Sequence, residues 1–236
     1  MNAMQRFCKI GLILMLGTVC CTATAAAPVP AFTAHYRLLK DGSRIGSATL
    51  TLVRNDNGTW VLTTRSKGTA GLASLLGASI EETSTFQWVG DLPQGISYDY
   101  TLKSALKDKH RSVRFDWNTH TIEVNDHGMH RFATQPGALE RHTVPLALAA
   151  GLANGQARFT LPVAVRDRVE MQHYVAHGRQ SVGVPAGTFD AVRVSRTDGD
   201  DGFEAWFAPT KLPAPVKIEQ RGKSNFSLEL ESWSTH

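Results

Sequence analysis

The sequence predicts a single, mainly antiparallel all-β domain: a strongly curved sheet or open half barrel of roughly ten to twelve strands with one or two short helices. Short runs rich in β-branched and aromatic residues recur along the chain, and turn residues such as those at 55–58 (NDNG) separate them. No composition break long enough for an interdomain linker interrupts them. Because a sheet this wide must curl, a curved or half-barrel form is expected, with a two-sheet sandwich as the alternative.

The first 26 residues have the pattern of a secretory signal peptide. Basic residues, an apolar run over 10–19 and a stretch of small residues follow one another. The run has about half the length that a membrane-spanning helix needs, so no transmembrane span is expected in the mature chain. Cleavage is expected after Ala25 or Ala26, which leaves 27–236 as one exported β domain.

All three cysteines, Cys8, Cys20 and Cys21, lie in this predicted signal peptide. The exported chain therefore has no disulfide and no thiol chemistry, and its core alone must hold it together. A lipid anchor on Cys20 or Cys21 is the alternative, but the residues before both cysteines fit a lipidation site poorly. Loss of the segment leaves 23 basic against 21 acidic side chains, which is not the charge pattern of a nucleic-acid-binding protein.

The N-terminal half is predicted to form successive hairpins. In the second strand Ala48, Leu50 and Leu52 share one face. The segment 69–78 breaks the pattern with leucines near helical spacing, and it is expected to be a short helix or an apolar loop near the concave face. The strands are expected at 31–39, 45–54, 60–66, 81–89, 96–104, 110–117, 120–125 and 129–133.

One segment in the C-terminal half has a clear helix pattern. It covers 144–154, with Pro145 in the first turn and Asn154-Gly155 as its end. Because it is apolar nearly all round, we expect it to lie against the concave face of the sheet. Strands are expected from 158 onward and at 168–176, 188–195, 203–207, 216–220 and 225–233.

No motif of a reactive centre is present in the sequence. There is no Gly-x-Ser-x-Gly elbow and no cysteine nucleophile in the exported chain. His173 and His177 lie four residues apart in a strand, about 13 Å from each other, which is too far for one zinc ion. His127 and His130 lack a third ligand, and the acidic turn at 198–202 lacks EF-hand spacing. No catalytic residue, metal or cofactor is therefore expected.

Large apolar side chains are more numerous than a narrow sheet face requires. Ordinary core is one interpretation, and the functional one is a groove between sheet and helix that holds an acyl chain or an apolar peptide. The candidate ligand-binding residues are Leu72, Leu75, Trp88, Leu146, Leu148, Leu152, Trp206 and Phe207.

Three segments of the C-terminal half carry a resemblance to a known family: 184–189 (VPAGTF), 205–209 (AWFAP) and 212–218 (LPAPVKI). With 114–117 (RFDW) upstream, the chain resembles the bacterial exported proteins grouped as the domain of unknown function DUF3108. The resemblance covers most of the exported chain and implies a periplasmic protein of the Gram-negative envelope. It carries no functional residue with it.

Three functions remain open at this point. The first is non-catalytic binding of an apolar or amphipathic envelope component, such as a lipid, an acyl chain or a peptide. The second is an assembly or scaffold role with another envelope protein as partner, and the sequence predicts no oligomeric state. The third is an enzyme acting on a cell-wall or lipid substrate, in which polar residues from distant strands converge. The residues considered for that role are His110, Arg114, Asp116, His173 and Glu204.

Overall fold

The computed structural model describes residues 27–199, 202–222 and 224–236, so the predicted signal peptide lies outside the described residues. Within these ranges all strands belong to one sheet, which confirms the curved all-β fold and not the sandwich. The strands are β1 (Phe32–Lys40), β2 (Ser43–Arg54), β3 (Trp60–Gly68), β4 (Ser79–Val89), β5 (Leu92–Lys103), β6 (Lys109–Asp116), β7 (Thr121–Asn125), β8 (Met129–Ala133), β9 (Leu139–Glu140), β10 (Arg158–Ala164), β11 (Val169–Val184), β12 (Gly187–Arg196), β13 (Phe203–Phe207), β14 (Pro215–Gln220) and β15 (Phe226–Thr235).

The sheet consists of two meanders that meet through the first and last strands. Strands β1 to β8 lie side by side in sequence order, as do β9 to β15, and β1 pairs with β15. Phe32 lies opposite Thr235, so both ends of the described domain lie in the middle of the sheet. Neighbouring strands are antiparallel except β9 and β10, which are parallel.

The sheet curls until its β9–β10 edge meets strands β5 to β7. The backbone N–H of Gly95 in β5 donates to the Ala138 carbonyl just before β9, at 3.0 Å. A Cβ on Gly95 would lie 2.5 Å from the Phe115 ring, so only glycine allows this approach. No strand ladder joins the two regions among the described residues, so the sheet stays open there and side-chain packing holds the edge in place. That cluster contains Val113, Phe115, Ile122, Val124, Ala138 and Ala164.

Helix α2 (Val144–Ala153) is buried inside the curled sheet, as the sequence predicted. Pro145 stands in its first turn, and the chain leaves it through Gly155, whose φ is +78°. A Cβ on Gly151 would lie 2.5 Å from the Phe159 ring, so glycine lets the helix pack closely on β10. The helix therefore fills the interior at one end of the barrel, together with the main apolar core.

The short helix α1 (Gly71–Leu75) does not lie against the concave face, so that part of the prediction for 69–78 is wrong. The N–H of Thr69 donates to a β2 carbonyl at 2.9 Å, and the helix contacts the ends of β2 and β3. Its bounding glycines have positive φ, which turns the chain at both ends and leaves room for a single helical turn. Leu75 is 81% exposed.

The strand predicted at 168–176 is longer than expected. As β11 it continues through a register irregularity between Ala176 and Arg179. Its polar-looking face points inward: Gln172 and Tyr174 are buried, and the Tyr174 hydroxyl donates to Gln172 Oε1 at 2.7 Å. Alternation places Gln172 and Tyr174 on the same face of the strand but does not tell which face is buried. The two-residue strand β9 was not predicted.

Candidate functional site

A cavity of about 540 Å³ lies between the concave face of the sheet and the first turn of α2. Strands on both sides of the central β1–β15 pair contribute to its wall. The register explains the lining of β2, where Ala48 and Leu50 share one face, as the sequence predicted, and the structure shows that this face points inward. The larger apolar side chains of the wall are Leu50, Leu62, Val113, Leu146, Phe203, Ile218 and Leu228.

The rest of the cavity wall is polar and charged. In the sheet, Thr64 lies opposite Glu82 and Ser84 lies opposite Tyr98. Residues opposite one another in antiparallel strands project to the same side, so these side chains collect on one patch of the concave face. The polar lining residues are Thr64, Glu82, Tyr98, Arg111, Glu140, Arg141, His142, Arg166 and Gln220.

Glu140 and His142 reach this patch from the segment that leads into α2. Glu140 is only 3% exposed. Its side-chain Oε2 accepts from the backbone N–H of His142 at 2.6 Å, and its backbone carbonyl accepts from the Thr143 hydroxyl at 3.0 Å. The carboxyl group thus caps the 3-10 turn over Arg141–Thr143, which fixes its own position and that of the His142 ring.

Four of these side chains form a continuous chain of hydrogen bonds. The Ser84 hydroxyl donates to Glu140 Oε1 at 2.8 Å and lies 2.7 Å from His142 Nδ1. His142 Nε2 lies 2.7 Å from the Thr64 hydroxyl. Because the single hydrogen of Ser84 is given to Glu140, His142 Nδ1 must supply the hydrogen of the second contact.

The chain has the composition of a catalytic serine triad but not its order. In a triad the imidazole lies between the acid and the serine and accepts the serine proton. Here Ser84 lies between Glu140 and His142, and His142 donates to it. Ser84 is also 1% exposed, so a substrate carbonyl has no access to its hydroxyl. The arrangement positions these side chains and does not activate a nucleophile.

Burial sets the protonation of the acids and phenols around the cavity. Burial raises the pKa of Glu140 above its usual 4.5, while the His142 side chain and the Ser84 hydroxyl oppose this shift. Burial also raises the pKa of Tyr98, and the neighbouring Glu82 carboxylate raises it further. The Tyr98 hydroxyl therefore stays protonated and donates to Glu82 Oε1 at 2.7 Å.

Arg111 brings a cation to the same wall. Its Nε is buried and has no hydrogen-bond partner within the described part of the chain. Arg141 and Arg166 also border the cavity. Three guanidinium groups and the carboxyl groups of Glu82 and Glu140 thus line the cavity, and such a lining suits the polar head of a ligand better than a purely apolar ligand.

The residues predicted to bind a ligand are distributed over three environments. Leu146 lines the cavity, and Leu75 lies on the surface outside it. The side chain of Leu72 lies outside the described residues. Trp88 packs edge-on against Phe86 with ring centroids 5.3 Å apart. The remaining predicted residues belong to the apolar core or pack against it: Leu148, Leu152, Trp206 and Phe207.

The residues considered for an enzymatic role are not brought together. Arg114 pairs with Asp99 at 2.9 Å, and Asp116 accepts from the backbone of the turn that follows it. His173 lies 3.1 Å from the Thr160 hydroxyl. The other two make contacts elsewhere: Glu204 with Arg193 and Arg221, and His110 with Thr101.

Sequence reasoning missed the Ser84, Glu140 and His142 cluster. Its members come from a strand and from the segment before α2, and no spacing rule connects them. The one available signal was the polar run Glu140-Arg141-His142 directly before an apolar helix. Such a run must be hydrogen-bonded if the helix is internal.

The described ranges contain no group of three or more metal-ligating side chains. None of their helices combines the length and apolar character needed to cross a membrane.

The fold and the cavity define a β-barrel-like protein built from one open, curled sheet around an internal pocket. The sequence profile of the family described as "Protein of unknown function (DUF3108)" matches residues 31–230, and the chain belongs to this family. The resemblance stated from the sequence is thereby confirmed. No curated protein matches the sequence.

A solved structure of low sequence identity shares the architecture. The "Beta-barrel-like Protein of Domain of Unknown Function DUF1849 from Brucella abortus" is 12% identical with a TM-score of 0.50, covering 89% of this chain and 100% of that chain. This likeness concerns the fold alone. A structure described as "a putative lipoprotein from Parabacteroides distasonis" is 10% identical with a TM-score of 0.33, covering 90% of this chain and 100% of that one.

Proposed function

We propose that this protein binds an amphipathic component of the bacterial cell envelope in its interior cavity, without catalysing a reaction. One observation carries the proposal: the cavity of about 540 Å³ is lined both by apolar side chains and by a set of charged ones. Its volume lies in the range of small-molecule sites, roughly 300–1,000 Å³.

The two parts of the wall favour an amphipathic ligand over a purely apolar one. Leu50, Ile218 and Leu228 would remove an acyl or alkyl chain from water, which contributes about 0.8 kcal/mol for each buried methylene. A purely apolar ligand would also remove water from Arg111 and Glu82 without replacing its hydrogen bonds, and that is costly. A ligand with a polar head avoids this cost.

The cell-envelope location is part of the proposal. The signal-peptide pattern of the first 26 residues and the resemblance to exported proteins support export to the periplasm. In that compartment an amphipathic molecule needs a protein interior to cross water, and an internal cavity supplies one.

The proposal is tested by titrating the purified protein with a fluorescent acyl-chain probe. Leu50→Trp combined with Leu228→Trp places two indoles in the cavity and is expected to weaken binding at least about tenfold, because the indoles occupy the volume that the acyl chain would fill. The matched control is Val89→Trp, since Val89 is half exposed and lies outside the cavity. Absence of saturable binding in the unmodified protein, or equal binding by a folded double variant, would contradict the proposal.

A further inference from the structure

Two loops lie at the ends of the strands that carry the polar end of the cavity. Strands β3 and β4 contribute Thr64 and Glu82 to the cavity, and both end a few residues further on at the loop 69–78. Strands β5 and β6 contribute Tyr98 and Arg111, and both end at the loop 104–108. We call residues 69–78 and 104–108 the rim.

The rim displays two leucines side by side to solvent. The N–H of Ala105 donates to the Leu76 carbonyl at 2.9 Å, which joins the two loops. Leu75 and Leu106, each next to one end of this bond, are 81% and 78% exposed and are the most exposed large apolar side chains of the described residues. Single exposed leucines need no explanation, but two on loops that are bonded to each other indicate an interaction site.

The leucine of the second loop is held in place by its own turn. The hydroxyl of Ser104 donates to the carbonyl of Lys107 at 3.1 Å and accepts from the N–H of the same residue at 3.0 Å. Leu106 belongs to the segment that these two bonds close, and its side chain points to solvent. Its exposure is therefore a feature of the folded loop.

The surroundings of the two leucines are basic. Ser79 at the start of β4 pairs with Lys67 of β3 on one side and with Lys103 of β5 on the other. Lys107 belongs to the rim. All three lysines are exposed, and the described residues offer none of them an ion pair within 4.0 Å. Asp108 is the only acidic residue of the rim sequence, so together with Lys67, Lys103 and Lys107 it leaves a positive net charge around the leucines.

We propose that the rim docks onto a membrane surface that carries anionic lipids, with Leu75 and Leu106 entering the interfacial layer and the lysines contacting lipid phosphates. Exposed aliphatic side chains flanked by lysines have this membrane affinity. A protein partner fits less well, because lysine is depleted in protein interfaces and the rim offers loop tips instead of a broad face. The inference goes beyond the proposed function, since docking requires no ligand in the cavity.

The test is co-sedimentation with vesicles of phosphatidylethanolamine and phosphatidylglycerol, with phosphatidylcholine vesicles for comparison. The protein is purified after expression of the full chain, and its N-terminus is determined so that any retained apolar segment is known. Leu75→Glu with Leu106→Glu is expected to weaken binding to anionic vesicles by about tenfold or more. The matched control is Val53→Glu with Val89→Glu, which changes exposed aliphatic residues at the opposite ends of β2 and β4 and should leave binding unchanged.

The lysines are tested by a separate variant. Replacement of Lys67, Lys103 and Lys107 by glutamine is expected to weaken binding about fivefold for each lysine removed, and added salt should weaken the binding of the unmodified protein. Equal vesicle binding by both glutamate variants, or no binding by the unmodified protein, overturns the inference. The Leu75→Glu/Leu106→Glu variant is also titrated with the fluorescent acyl-chain probe. If it binds this probe as the unmodified protein does, the cavity is intact, and the result on vesicle binding is independent of the proposed function.

Discussion

The Ser84 hydroxyl lies 2.7 Å from Nδ1 of the His142 ring, although 58 positions separate the two residues in the sequence. This contact joins strand β4 to the segment that carries the chain into the internal helix α2. The same hydroxyl donates to Glu140, and the same ring contacts Thr64. One end of the cavity wall is therefore a connected polar structure, and its members should depend on one another for stability.

Ser84→Ala tests this dependence. Removal of the hydroxyl leaves Glu140 Oε1 and His142 Nδ1 without a partner, and a buried unsatisfied polar group costs roughly 1–3 kcal/mol. The free energy of unfolding from urea titration should fall by about that amount. Ser232→Ala is the control, because Ser232 is exposed and should change little. A loss no larger than that of the control would show that the hydrogen-bonded chain does not stabilise the fold.

Glu140→Gln should remove a pH dependence of stability. Burial raises the pKa of Glu140 above 4.5, so the folded protein keeps this proton to higher pH than the unfolded chain does. The resulting stabilisation is complete below pH 4.5 and is lost as pH rises through the folded pKa. Thermal midpoints measured upward from that pH should therefore decline more steeply for the unmodified protein than for the variant.

Glu81→Gln is the matched control for this measurement, since the Glu81 side chain is half exposed and pairs with Arg65 on the surface. Its midpoints should follow those of the unmodified protein across the same pH range. If the thermal midpoints of Glu140→Gln and of the unmodified protein changed with pH in parallel, Glu140 would have the same pKa in the folded and the unfolded chain.

All strands except the two-residue β9 were predictable, because each has its signal in adjacent residues. The alternation of Ala48, Leu50 and Leu52 placed them on one face of β2, and these residues line the cavity or belong to the core. Helix α2 was predictable because a segment that is apolar all round, with Pro145 at its start, has few alternatives to burial.

The candidate site could not be predicted in the same way. Ser84 and His142 meet only because the sheet curls, and curvature depends on contacts between residues far apart in sequence. Gly95 shows this dependence, because the need for glycine at this position follows only from the Phe115 ring that packs over it. The excess of apolar side chains predicted an interior but could not assign Leu148 to the core and Leu146 to the cavity wall.

Gly95→Ala should weaken the closure of the barrel. The new Cβ would lie 2.5 Å from the Phe115 ring, at the point where Gly95 N–H bonds to the Ala138 carbonyl. Overpacking of this kind costs about 1–3 kcal/mol, measurable as a lower urea midpoint. Gly178→Ala is the control, because nothing lies within 4 Å of its added Cβ. Similar midpoints for both variants would show that this contact does not hold the edge in place.

The cleavage site expected in the N-terminal segment provides the last prediction. The pattern of a signal peptide with small residues before the cut predicts a mature chain that begins at Ala26 or Ala27. Intact-mass measurement of protein released from the periplasm should give one of these two chains, without a lipid. A lipid-modified chain beginning at Cys20 or Cys21 would instead place the domain on a membrane through its own anchor. In that case rim variants would alter the orientation of the domain at the membrane and not its attachment. Vesicle binding by a chain without the lipid anchor would then separate docking by the rim from attachment by the lipid.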